Sequence, residues 1–152
     1  MKKILLSLPI IAITSLPLIS VKCENRFQKV AQLNSSQVEE IKNQIQFEIT
    51  SEGKKKYIID TNYDYTNLNK FIAEKNNEYV HSGKFRFLPN DKDFKKIITL
   101  SFPDVNSLFY GHNLTITFSK DQTGIPILLW EVGCEAYGKE GEGQIKLEGA
   151  QK

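Results

Sequence analysis

Cysteine and histidine are scarce in this chain, two of each, and Cys23, His81, His112 and Cys134 stand far apart. Zinc sites draw on cysteines and histidines clustered at ligand spacing. The spacing here offers none, and no residue is assigned to a metal or to any other cofactor. Calcium loops are absent as well: Asp60 to Asp64 lacks the full ladder of oxygen ligands, and Asp91 with Asp93 lacks the glycine and the distal glutamate. Nucleophilic catalysis needs a serine or cysteine beside a histidine that a carboxylate holds. No G-x-S-x-G elbow or cysteine signature surrounds either histidine, so both read as exposed loop residues.

An excess of positive charge is missing too. The chain is formally +2, but Lys2 and Lys3 fall in an N-terminal leader without acids, which leaves eighteen bases against eighteen acids from Val21 onward. Nucleic-acid binding depends on clustered Lys and Arg that neutralise phosphates, so a nucleic-acid partner is not expected. Lys54, Lys55 and Lys56 form the sharpest charge run, in what reads as a solvated turn. Repeats, low-complexity tracts and interdomain linkers are also lacking.

What is present begins with that leader. Met1, Lys2 and Lys3 precede an apolar run from Ile4 to Ile19, the pattern of a secretory signal peptide. Cleavage falls after Ser20 or after Cys23. The run sits at the bottom of the roughly 17 to 25 residues that cross a bilayer, and Pro9 and Pro17 interrupt it. The expectation is residues 1–20 as signal peptide and 21–152 as one extracytoplasmic domain, secreted or periplasmic. The membrane is a partner only if the leader stays uncleaved. In an exported chain two cysteines permit one bridge, Cys23 to Cys134, unless they are separate thiols.

Hydrophobic periodicity gives an α+β fold, a single domain built on an antiparallel meander sheet of about four to six strands with one or two helices packed on one face. Ser36 with Glu39 reads as a capping box opening a helix to about Asn43, and Ile45, Phe47 and Ile49 alternate as a strand. Ser51 to Lys54 then reads as the turn of a hairpin to Tyr57–Ile59. A helix capped by Thr66 or Asn67 runs to about Glu78, and Phe85 with Phe87 marks an edge strand before Pro89.

The centre is Ile97 to Cys134. Ile98, Leu100 and Phe102 share one face of a strand, and Leu114, Ile116 and Phe118 share one face of another. Ile125 to Val132 is apolar on both faces and reads as the central strand, joined to its predecessor by the hairpin turn Lys120 to Gly124. Gly138 to Gly143 reads as turn glycines leading to a short strand, Gln144 to Leu147, and a frayed tail.

Function is not written in any of these motifs. Tyr63 and Tyr65, and the loop residues Phe109, Tyr110 and His112, combine aromatic faces with polar tips, the composition of binding surfaces. They are the binding candidates of a small binding or interaction protein, adhesin-, inhibitor- or host-factor-like, whose partner is an unknown protein or glycan. One alternative is an envelope component anchored by its leader. The other is a small secreted hydrolase using His112 with Asp104 or Glu131.

Overall fold

The computed structural model describes residues 29–59 and 62–150. The α+β class is as expected, but the strands do not form one meander: among the described residues they divide into one three-stranded and two two-stranded antiparallel sheets. The candidate leader and Cys23 lie outside the described residues.

Helix α1 (Ser35–Asn43) is capped two residues earlier than expected, by Asn34. The Asn34 side chain accepts from the Gln37 N–H, and the Gln37 side chain accepts from the Asn34 N–H, a reciprocal capping box. Strand β1 (Gln46–Ile49) follows and pairs with β4 (Ile98–Ser101), not with its sequence neighbour. The expected hairpin turn is instead helix α2 (Ser51–Tyr57). Thr50 caps it by accepting from the Gly53 N–H, while the Thr50 N–H donates to the Ile97 carbonyl. A local cap and a long-range partner together outweigh the strand pattern.

Strands β2 (Ile58–Ile59) and β3 (Asn62–Tyr63) form a minimal ladder. Helix α3 (Tyr65–Lys75) is capped by Asp64 and continues into a π turn, Asn76–Val80. Phe85–Asn90 is a 3-10 helix and not the expected edge strand. At three residues per turn Leu88 falls beneath Phe85 and is fully buried, while Phe87 points to solvent. The short helices α4 (Phe94–Ile97) and α5 (Val105–Leu108) bracket β4.

The three-stranded sheet is the frame of the molecule, with β6 (Pro126–Cys134) between β5 (His112–Lys120) and β7 (Gly138–Lys146). Its inner face carries Leu114 and Ile116 of β5 and Leu128, Trp130 and Val132 of β6, all buried. The outer face turns to solvent at Leu129 and Glu131, so β6 is two-sided only near its start. The glycine-rich stretch is the body of β7 and not a turn, because Gly143 lies against the Trp130 indole, which leaves no room there for a Cβ. Phe118 joins this sheet to the rest of the core, its ring 5.5 Å from Phe47 of β1 and 6.1 Å from Phe94 of α4.

The segment Leu147 to Ala150 is docked rather than frayed. Ile49 N–H donates to the Glu148 carbonyl and Glu148 N–H to the Phe47 carbonyl, both at 3.0 Å, and Leu147 and Ala150 are fully buried. The Tyr65 hydroxyl donates to the Ala150 carbonyl.

Candidate functional site

The β5–β6 hairpin sets Lys120 opposite Pro126 at its turn and, carried to the other end, His112 opposite Cys134. His112 is therefore the first residue of a strand and almost fully buried, a correction to its reading as an exposed loop histidine. The cause is Gly111, whose φ of +83° lets the chain turn sharply into β5 and whose missing Cβ makes way for Val30. His81, by contrast, is exposed, with Nε2 3.1 Å from the Asn76 side-chain amide.

A third residue joins the pair through a β-bulge. Val132 pairs with Gly141 and Gly133 with Lys139, so Glu140 is an extra residue in β7. Bulges re-aim side chains, and here the carboxylate turns inward while Lys139 stays outside, 2.8 Å from Glu142. Glu140 Oε2 lies 2.9 Å from His112 Nε2, with both side chains at most 2% exposed. The contact is close but not aligned as a hydrogen bond, and both atoms lack a hydrogen-bonding partner among the described residues.

The far sides of both groups are anchored. His112 Nδ1 lies 3.2 Å from the carbonyls of both Phe109 and Tyr110, which can only accept, so Nδ1 carries a proton. Glu140 Oε1 accepts from the Leu33 N–H at 2.8 Å. The Cys134 thiol is buried and has no disulfide partner among the described residues, and one ligand atom each from His112, Cys134 and Glu140 lies within 4.8 Å of the others. Nitrogen, sulfur and oxygen donors thus converge at one end of the sheet. Cys134 also lines an open cleft of about 550 Å³ together with Val30, Asn106, Tyr110 and Glu135.

The binding candidates divide between the two ends of this sheet. Phe109, Tyr110 and His112 are at the cluster end: Phe109 packs against the core, and Tyr110 is 56% exposed at the cleft. Tyr63 and Tyr65 are elsewhere, their rings 5.5 Å apart, with Tyr65 beside Gly124 at the hairpin turn. Asp104 and Glu131 do not serve His112. Asp104 binds Arg86 at 3.2 Å and the Ser107 hydroxyl at 2.7 Å, and Glu131 lies on the outer face 3.8 Å from Lys139.

Glu140 is the functional candidate that sequence spacing misses. The hairpin turn does contain a signal for the other two, because pairing Lys120 with Pro126 brings residues 112 and 134 opposite one another by counting alone. Comparison with known protein families, curated proteins and solved structures finds no match to this chain.

Proposed function

We propose that this chain is a small secreted or periplasmic binding protein that meets a protein or glycan partner with the loop end of its three-stranded sheet. The observation that carries the reading is the concentration of exposed apolar surface there. Leu108 at the end of α5 is 45% exposed, and Tyr110 (56%) and Tyr137 (48%) stand in the two turns that the cleft at Tyr110 and Ala136 joins. Large apolar side chains gathered on a surface mark interaction sites, and tyrosine offers both an apolar body and a polar tip.

The leader pattern supports export, with residues 21–152 as the exported domain. No helix among the described residues is long and apolar enough to cross a membrane. A hydrolase acting through His112 draws no support from the site, because Nδ1 faces two carbonyls and Nε2 faces Glu140, which leaves no ring nitrogen open to a substrate.

The test is a triple variant, Leu108→Ala with Tyr110→Ala and Tyr137→Ala, compared with the parent in pull-downs and on a glycan array. Circular dichroism should be unchanged while binding falls at least about tenfold, the usual consequence of removing several aromatic anchors. Capture as strong as the parent's would remove this surface from consideration. The intact mass of the exported protein, before and after reduction, fixes the cleavage site and shows whether Cys23 and Cys134 are bridged.

A further inference from the structure

We infer that His112, Cys134 and Glu140 form a binding site for one divalent transition-metal ion of zinc's chemical class, with its fourth position open to the cleft beside Cys134.

The inference starts from the proton on His112 Nδ1. With that nitrogen facing the carbonyls of Phe109 and Tyr110, a neutral imidazole presents the Nε2 lone pair to Glu140 Oε2 at 2.9 Å. Two buried acceptor atoms at that distance repel unless something electropositive lies between them. A shared proton would do this, and so would a metal ion. The thiol decides between the two. A proton needs only the two atoms, whereas here a third donor, Cys134 Sγ, completes a set within 4.8 Å.

His112 and Glu140 also have the outer support that metal ligands require. Metal-binding histidines donate their second ring N–H to a carbonyl or carboxylate, and ligating carboxylates are themselves hydrogen-bonded. Here the His112 Nδ1–H meets backbone carbonyls, and Glu140 Oε1 is fixed by the Leu33 N–H. With zinc bonds of about 2.0 to 2.3 Å, tetrahedral ligand atoms stand about 3.3 to 3.7 Å apart. Seating an ion therefore opens the His112–Glu140 contact by a few tenths of an ångström and draws the thiol inward.

The donor set determines the class of ion. Thiolate and imidazole favour zinc, cobalt and copper over magnesium or calcium, which take oxygen. Among the described residues three protein ligands converge, and Cys134 borders solvent through the cleft, so a water or a group of a bound partner completes the coordination. Coordination through the thiolate releases the Cys134 thiol proton to solvent.

The experiment uses the full chain carrying Cys23→Ser, so that Cys134 is the sole thiol, stripped with chelator and titrated with Co²⁺ and then Zn²⁺. One equivalent of Co²⁺ should give a thiolate charge-transfer band and the strong visible absorption of a tetrahedral site, and Zn²⁺ should bleach both. Zn²⁺ should also raise Tm, by an amount that grows with the logarithm of its concentration over Kd. Cys134→Ser should lose the charge-transfer band. Glu140→Gln is the variant that separates binding from folding. Its side-chain oxygen can keep the Leu33 bond while its NH₂ donates to His112 Nε2, so it should fold as well as the parent and bind Co²⁺ at least about tenfold more weakly. A folded parent with no band at one equivalent and no Zn²⁺-dependent Tm would overturn the site, as would parent-like affinity in Glu140→Gln.

Discussion

The two ends of the β5–β6 hairpin are built from the same pair of strands and differ in how their polar groups are used. At the turn end, Asp121 Oδ1 accepts from the N–H groups of Thr123 and Ile125 and from the Thr123 hydroxyl, and Oδ2 lies 2.9 Å from the Lys146 ammonium. The Asn69 amide closes the same end by donating to the carbonyls of Gly124 and Tyr65, each at 2.7 Å. At the other end, His112 Nε2 and Glu140 Oε2 face one another without a hydrogen bond, and Leu108, Tyr110 and Tyr137 stand in solvent. A turn whose Asp121 and Asn69 side chains are hydrogen-bonded in this way stabilises the sheet. An end that leaves buried polar atoms unmatched and large side chains exposed forgoes that stabilisation, and such places are where function is to be sought.

The comparison can be broken most forcefully at the cluster. In metal-free protein, His112→Leu strands the Glu140 carboxyl with a single N–H donor and should cost about 3 kcal/mol in denaturant unfolding. Adding Glu140→Gln to it should recover about 1 kcal/mol or more, since two groups that act as a pair are not additive. Strictly additive losses would mean that the two side chains do not interact.

At the turn end the expected effect is smaller. Asn69→Ala removes two hydrogen bonds, one within α3 and one that joins α3 to the turn, and should cost about 1 to 2 kcal/mol, read from the same unfolding curves. A loss as large as that of His112→Leu would reverse the ranking of the two ends.

A pH dependence sharpens the same contrast. The Thr123 hydroxyl and then the Lys146 ammonium, with the N–H groups of Ile125 and Thr123, hold the Asp121 carboxyl well below its ordinary value near 3.8. A depressed carboxyl stabilises the fold in full above that ordinary value, and the contribution fades as pH falls from there towards the folded value. Asp121→Asn should therefore lower stability at neutral pH and flatten the acid limb of a Tm-against-pH curve below about pH 4. An unchanged acid limb would show that the turn gains nothing from the charge. The smallest effects belong to the exposed aromatics: Tyr110→Ala and Tyr137→Ala should each change stability by no more than about 0.5 kcal/mol.

The hairpin between these ends is legible in the sequence because its information is local. Leu114 and Ile116 alternate with polar neighbours, and a short turn with glycine joins the strands, so period and register follow together. The first half of the chain is less legible. Phe47 and Ile49 do mark a strand, but its partner is Ile98–Ser101, and no local pattern distinguishes that partner from Tyr57–Ile59. Phe85 and Leu88 carry a three-residue spacing that the Phe85–Phe87 alternation conceals. Glu140 is the least legible residue of the site. Its inward aim comes from a single extra residue in β7, and a bulge leaves no trace in hydrophobic periodicity.

The hydrogen bond from Leu33 to Glu140 joins residues 107 positions apart. Bringing such ends together costs chain entropy that rises by only about 0.6 kcal/mol for each doubling of length, but it cannot be recovered until most of the intervening chain is in place. The β5–β6 hairpin can close early from its own turn, whereas the cover over His112 and Glu140 closes late. In the native state the exchange rate of the Leu33 amide proton therefore measures how often its bond to Glu140 opens while the sheet persists.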